Sequence, residues 1–350
     1  MKSTWRYIVM LLAALLLTAC STIDDDLSDC GNDFKLDYEM RLVTNITTEL
    51  NTQLNTAADA SVANALRSHL QDIFSDYARD VDLSFYDTEN PQDRLSHDQH
   101  VMNASEQSYT LYLPMREYMH LAVANIRDNN VVDLSGDDRC PTSQLATKTT
   151  DKDTIDSHTT GLFTARQPMK VLEGVNQTFH VRLYMANCAE ALVINPRGQK
   201  YKDIRVYATG FATQFHINDS TYSFSEKSPI VRTKELNTEG GNLCFCSVNF
   251  PSSEEGMRTV VETDFDDGES DKTYWQFLVY VTLEDGTITE SVLNVRKKQN
   301  AGELKIINGF MSDDGSVQTD NQEVGVSVTL NWKEGGEHGK TLRIMVRLDF

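Results

Sequence analysis

The chain has 350 residues, and its 52 Asp and Glu outweigh 32 Lys and Arg to give a formal charge of −20. A surface this acidic repels a phosphate backbone and carries no basic cluster to release counterions, so nucleic acid is excluded as a partner. The length exceeds what one core usually holds and predicts two domains.

Residues 1–19 read as an export signal, with Lys2 and Arg6 ahead of an apolar run over 7–17 that is too short to span a bilayer. The run ends in Leu17-Thr18-Ala19-Cys20. That is a lipobox, in which a small residue precedes the cysteine whose sulfur takes a diacylglycerol as the signal is removed. Cys20 is the expected lipidation site. Each buried CH₂ of an acyl chain contributes roughly 0.8 kcal/mol, so two or three chains (diacylglycerol plus palmitate) anchor the protein in a membrane without a spanning helix. Loss of Lys2 and Arg6 with the signal leaves 30 basic residues against 52 acidic ones, or −22. Residues 20–33 form a polar tether that opens Ser21-Thr22-Ile23-Asp24-Asp25-Asp26. Beyond Cys20 lie Cys30, Cys140, Cys188, Cys244 and Cys246. The odd count leaves at least one thiol free or intermolecular, and spacing does not give the pairing.

From Phe34 the dominant period is two. Leu36, Tyr38, Met40 and Leu42 alternate with Lys35, Asp37, Glu39 and Arg41, the pattern of an antiparallel strand buried on one face. One helix follows, where Val62, Leu66, Leu70, Ile73 and Tyr77 fall on one stripe and Thr56 with Asp59 suits a capping box. Strands are predicted over 81–86, 109–113 and 120–126, and the polar stretch 133–160 reads as a surface loop. Phe179, Val181, Leu183 and Met185 alternate again and close a first domain spanning 34–187. Strands over 204–208 and 211–215 open a second domain, 188–350. Its best hairpin signal joins 275–283 to 288–295 through Glu284-Asp285-Gly286, where Asp-Gly suits a type I′ turn. Val324, Val326, Val328, Leu330 and Trp332 are expected on one face of the penultimate strand. Leu342, Ile344, Val346, Leu348 and Phe350 alternate to the last residue. That run is either a closing strand of a sandwich or an edge that another chain could extend.

Local motifs do not build a catalytic or metal site. The segment 335–341 resembles a phosphate loop, but it is one residue short between glycines and lies between strands, so it reads as a turn. His97 and His100 sit in a polar stretch without a helix and read as solvated. Asp264, Asp266, Asp267, Glu269 and Asp271 have Gly268 where a Ca²⁺ loop needs its fifth-position ligand. Cys244 and Cys246 share a face of a strand but lack a second ligand pair for zinc. With no nucleophile elbow and no acid/base pair in view, the sequence predicts no enzyme and no cofactor.

The lipobox at Cys20, the acidic tether leading into Asp29-Cys30-Gly31, and the strand from Lys35 followed by a helix resemble the fimbrial anchor family of Bacteroidales type V pili. Further along, so do the 179–185 strand before a second β region and the 324–332 strand ending in Trp332. The run Asp24-Asp25-Asp26 is similar to the export signal that sends Bacteroidetes lipoproteins to the outer cell surface. The resemblance implies an all-β protein of two tandem transthyretin-like antiparallel β-sandwich domains with one helix in the first. It also implies a non-enzymatic role, with the lipid in the outer membrane and the protein at a fimbria as anchor or accessory subunit for adhesion. Leu342, Ile344, Val346, Leu348 and Phe350 are then expected to contact a fimbrial subunit by strand addition. Departures from the pattern are the polar 133–160 segment and the five remaining cysteines. The alternative is a surface glycan-binding lipoprotein of a nutrient-uptake system. Its usual aromatic platform is missing, since Trp275 and Trp332 both fall on apolar strand faces.

Overall fold

The computed structural model describes residues 33–43, 59–74, 78–90, 94–101, 108–127, 129–135, 144–148, 154–173, 175–225, 228–252 and 273–333. Its first half contains β1 (Asp33–Val43), α1 (Ala60–Ile73), β2 (Asp80–Asp87), β3 (Arg94–Val101), β4 (Ser108–Pro114) and β5 (Glu117–Ala124). After these come β6 (Val132–Ser135), β7 (Gln144–Thr147), β8 (Thr154–Asp156), β9 (Phe163–Lys170) and β10 (Gln177–Met185). The period-two stretches become strands because alternation gives each one an apolar face to bury. In β1, Leu36 and Tyr38 are buried while Lys35, Asp37 and Glu39 are exposed, and in β10 Val181, Leu183 and Met185 are buried while Arg182 and Tyr184 are exposed.

Two sheets make the first sandwich. The order β4-β1-β10 forms one and β3-β2-β5-β9 the other, and they join at one corner where β10 meets β9 through Tyr184–Thr164 and Met185–Phe163. The β1–β10 pairing is parallel, which departs from the all-antiparallel expectation. Across the sandwich, the Tyr38 hydroxyl lies 2.6 Å from His120 Nε2, and the His120 ring stacks on Phe85 with 4.5 Å between centroids. His120 Nδ1 is 3.1 Å from the Ser84 carbonyl, so a fully buried imidazole has a partner at each nitrogen. Burial pushes its pKa down to about 4 and keeps it neutral.

The second half begins with β11 (Cys188–Asn195), β12 (Tyr201–Thr209), β13 (Gln214–His216), β14 (Thr221–Ser223), β15 (Ile230–Arg232), β16 (Lys234–Leu236) and β17 (Leu243–Asn249). It continues with β18 (Trp275–Leu283), β19 (Thr287–Val295), β20 (Leu304–Met311), β21 (Val317–Gln318) and β22 (Val324–Lys333). A five-stranded sheet, β16-β17-β11-β20-β21, faces a six-stranded one, β22-β19-β18-β12-β15-β8. Between them pack Leu192, Ile194, Phe245, Trp275, Phe277, Val279, Leu293 and Ile307.

The five-stranded sheet is buried on both faces. Leu192 and Ile194 of β11 enter the core just described, whereas Ala189, Ala191 and Val193, with Cys244, Cys246 and Val248 of β17, belong to the first core. Helix α1 contributes Val62, Leu66, Leu70 and Ile73 to that first core, and those are the stripe residues of the sequence. Asp59 caps the helix, accepting from Ser61 N at 2.8 Å, in place of the expected Thr56 box. Its second oxygen accepts from Asn242 Nδ2 at 2.7 Å, and Gly240 N donates to Ser61 Oγ at 3.1 Å. The helix start is thereby tied to the β16–β17 hairpin.

Three expectations change. Residues 133–160 are not a single loop: β7 pairs with β13 and β8 with β15, so this segment joins sheets of the second half. Its polar composition hid strands of only three or four residues. The β18–β19 loop is the three residues 284–286 with positive φ only at Gly286 (83°), so it is not type I′, which needs two such residues. In β22 the pairing skips Thr329, so Leu330 and Trp332 do not keep the register of the valines. Val324 and Val326 stand opposite Val295 and Leu293 of the inner core, whereas Trp332 stands opposite Ile288, which belongs to a cluster with Tyr207, Leu278 and Tyr280.

Candidate interaction surfaces

Cys20 and the run Leu342, Ile344, Val346, Leu348 and Phe350 lie outside the described residues, as do Tyr77, Cys30, Cys140, the 264–271 acidic segment and the 335–341 turn. What is described is the strand that leads into the last of these segments. β22 pairs antiparallel with β19 on one side and has no strand neighbour on the other among the described residues. An edge of this kind presents alternating N–H and C=O groups to any extended chain laid beside it. The base of β22 is held by charge. Arg296 N donates to the Glu323 carbonyl at 2.9 Å, and the Glu323 carboxylate pairs with Lys305 and reaches Lys297 at 4.0 Å. Lys305 holds the Glu323 carboxyl below its ordinary range.

The remaining motif residues are structural. His97 lies on β3, not in a loop, with Nε2 2.9 Å from both carboxylate oxygens of Asp82. Among the described residues no three His, Cys, Asp or Glu side chains come together as a metal site. Cys244 and Cys246 do face the same way, as buried free thiols, and Cys188 is a third. Burial pushes the Cys244 thiol up to about 12, which leaves it unreactive. Trp275 is 0 % exposed, packs on Phe211 and Phe277, and donates Nε1–H to the Lys297 carbonyl.

One buried group escaped the sequence reading. By alternation Glu190 points, with Cys188 and Leu192, into the second sandwich. Its Oε1 accepts from Ser247 Oγ and Asn249 Nδ2, while Oε2 has no partner and the residue is 0 % exposed. Desolvation pushes its pKa up to about 8. The signal was available, since Glu190 is the one charged residue in Cys-Ala-Glu-Ala-Leu-Val-Ile-Asn.

Residues 47–335 match the sequence profile of the family described as fimbrillin-A associated anchor proteins Mfa1 and Mfa2. The chain belongs to that family. Its role is fimbria-associated, in anchoring or adhesion, and its place is the cell surface. No curated protein matches the sequence. Among solved structures, a candidate polysaccharide-binding protein from Bacteroides thetaiotaomicron superposes with a TM-score of 0.51 at 12% identity, covering 83% of this chain and 99% of that one. A candidate adhesin from Bacteroides ovatus gives 0.50 at 12%, covering 87% and 98%. The fimbrial anchor protein Mfa2 of Porphyromonas gingivalis gives 0.43 at 11%, covering 87% and 98%. At these identities the first two establish the shared fold, and the third adds nothing to the argument. No described helix is long and apolar enough to cross a membrane.

Proposed function

We propose that this fimbrillin-associated anchor family member is a non-enzymatic outer-membrane lipoprotein, attached through acyl chains on Cys20 and facing the cell exterior. It holds the base of a fimbria or forms an accessory part of one, and takes a fimbrial subunit by strand addition. The observation that carries the reading is the family match over 47–335, joined to β22, an edge strand among the described residues that precedes the alternating Leu342–Phe350 segment in sequence. The chain divides near Asn187 into 34–187 and 188–350, with β7 and β8 reaching across that division to pair with β13 and β15 and β6 paired behind β7. The glycan-binding alternative loses support with Trp275 wholly buried, since a sugar platform needs an exposed ring.

The test uses the native host. Replacing the gene with a Cys20→Ala version should release filaments into the medium, seen by electron microscopy and subunit immunoblot. Deleting residues 341–350 should leave lipidation intact and abolish subunit capture. Filaments retained normally by both strains would overturn the proposal.

A further inference from the structure

A cleft of about 500 Å³ opens where the end of α1 meets β8 and the corner between β15 and β16. Its size falls in the roughly 300–1,000 Å³ range of small-molecule sites. Among the described residues no Trp, Tyr or Phe lines it to offer a stacking face for a neutral sugar. What it offers is charge. Arg79, Arg232 and Lys234 line it together with Asp72 and Asp156, a cationic excess in a protein whose formal charge is −20. Arg232 is already engaged by Asp156 at 3.6 Å. Arg79 gives a guanidinium N–H to the Asp72 carbonyl at 3.3 Å, and neither Arg79 nor Lys234 has a carboxylate within ion-pair distance among the described residues. Two exposed cations lining one cleft, neither in an ion pair among the described residues, are unusual where acidic residues dominate.

The cleft also has a buried donor. His158 is 2 % exposed and forms part of the wall. Asn187 Oδ1 accepts from Leu162 N at 2.6 Å, which fixes the amide so that Nδ2 donates to His158 Nδ1 at 2.7 Å. Nδ1 is therefore the acceptor, and the ring proton sits on Nε2, for which the described residues supply no partner. Burial pushes the pKa of His158 down to about 3, so the ring stays neutral and Nε2 stays a donor. His69, on the helix side, is also held below its ordinary value, by burial first and then by the Lys234 charge.

We propose that this cleft binds a small carboxylate-bearing ligand, its oxygens held by Arg79, Lys234 and the His158 Nε2–H. Two charge-assisted hydrogen bonds and one neutral donor match the acceptors of a single carboxylate. Among the described residues Asp72 is the one lining carboxylate outside an ion pair, and it opposes the ligand. The proposal does not rest on the anchoring role, which concerns the other edge of the six-stranded sheet: β8 and β22 lie at its two ends. Two sources present this chemistry, a free organic acid and a uronate residue of a polysaccharide.

The test is calorimetric titration of the purified full chain in low salt with citrate, digalacturonate and, as a neutral control, maltose. Citrate or digalacturonate should bind and maltose should not. Arg79→Gln and Lys234→Gln, both at exposed positions, should each weaken binding at least tenfold with an unchanged melting temperature, and Asp72→Asn should tighten it. Lys298→Gln, outside the cleft, should change nothing. Digalacturonate binding tenfold tighter than citrate would identify the polysaccharide source, and the reverse order the free acid. Failure of both anions to bind at millimolar concentration, or equal weakening by Lys298→Gln, would overturn the site.

Discussion

Glu190→Gln separates the proton that this carboxyl carries from the shape it fills. In the folded chain the acid is fully buried and its pKa is raised from 4.5 to about 8. A carboxyl raised on folding contributes stability that is fully present below pH 4.5 and is lost as pH rises through about 8. Between about pH 6.5 and 8 the unfolded side chain is already ionised while the folded one still holds most of its proton. Each pH unit there removes about 1.4 kcal/mol, and half-titration of the folded acid near pH 8 brings the total to about 1.5 kcal/mol. Glutamine keeps an Oε1 to accept from Ser247 and Asn249, and its amide takes the place of the partnerless Oε2. Urea unfolding of parent and variant at both pH values should show the parent losing about 1.5 kcal/mol more than the variant across this window. Glu290, whose carboxyl burial also raises, is common to both proteins and cancels. A difference below about 0.5 kcal/mol would mean that Glu190 is ionised in the fold, and the reasoning would fail.

The upper part of the acid limb belongs to the buried histidines, above the range of lowered carboxyls such as Asp59 and Glu323. His120 is depressed from 6.5 to about 4 and His158 to about 3, so stability present above pH 6.5 is lost as pH falls toward those values. Replacing both members of the Tyr38–His120 pair with Phe should remove about half of that acid slope in urea midpoints, without the penalty of a buried orphan. Leu66→Ala, at a 0 % exposed position of α1, should cost about 2–5 kcal/mol, read as a lower urea midpoint at unchanged slope.

The elements with long alternation or a wide apolar stripe were legible in the sequence. β1, β10 and α1 stand where Leu36, Val181 and Leu66 predict them, because each buries one face and burial dictates the period; β2 and β12 stand where their apolar runs from Val81 and Ile204 place them. Strands of three or four residues such as β7 and β8 were not, since they carry too few side chains to show a period and take their stability from the sheets they join. The parallel pairing of β1 with β10 was equally hidden, because alternation reports a buried face and not the direction of the neighbour. The loop between β18 and β19 was placed correctly from Asp285-Gly286, but its length set a different backbone path. Of the surfaces, the family features were readable as motifs. The cleft at α1 was not, because Arg79, His158 and Lys234 are far apart in the chain and form no local pattern.

The pairing of β8 with β15 sets a timetable for the nascent chain. Thr154 finds its neighbour only when Ile230 has arrived, and β7, paired early with β6, gains its second neighbour only with His216. β1 likewise gains its parallel partner only with Gln177. Closing loops of this length is slow, and in the interval the early strands expose unpaired edges. The first half of the chain therefore needs to be kept from self-association until the second half has emerged.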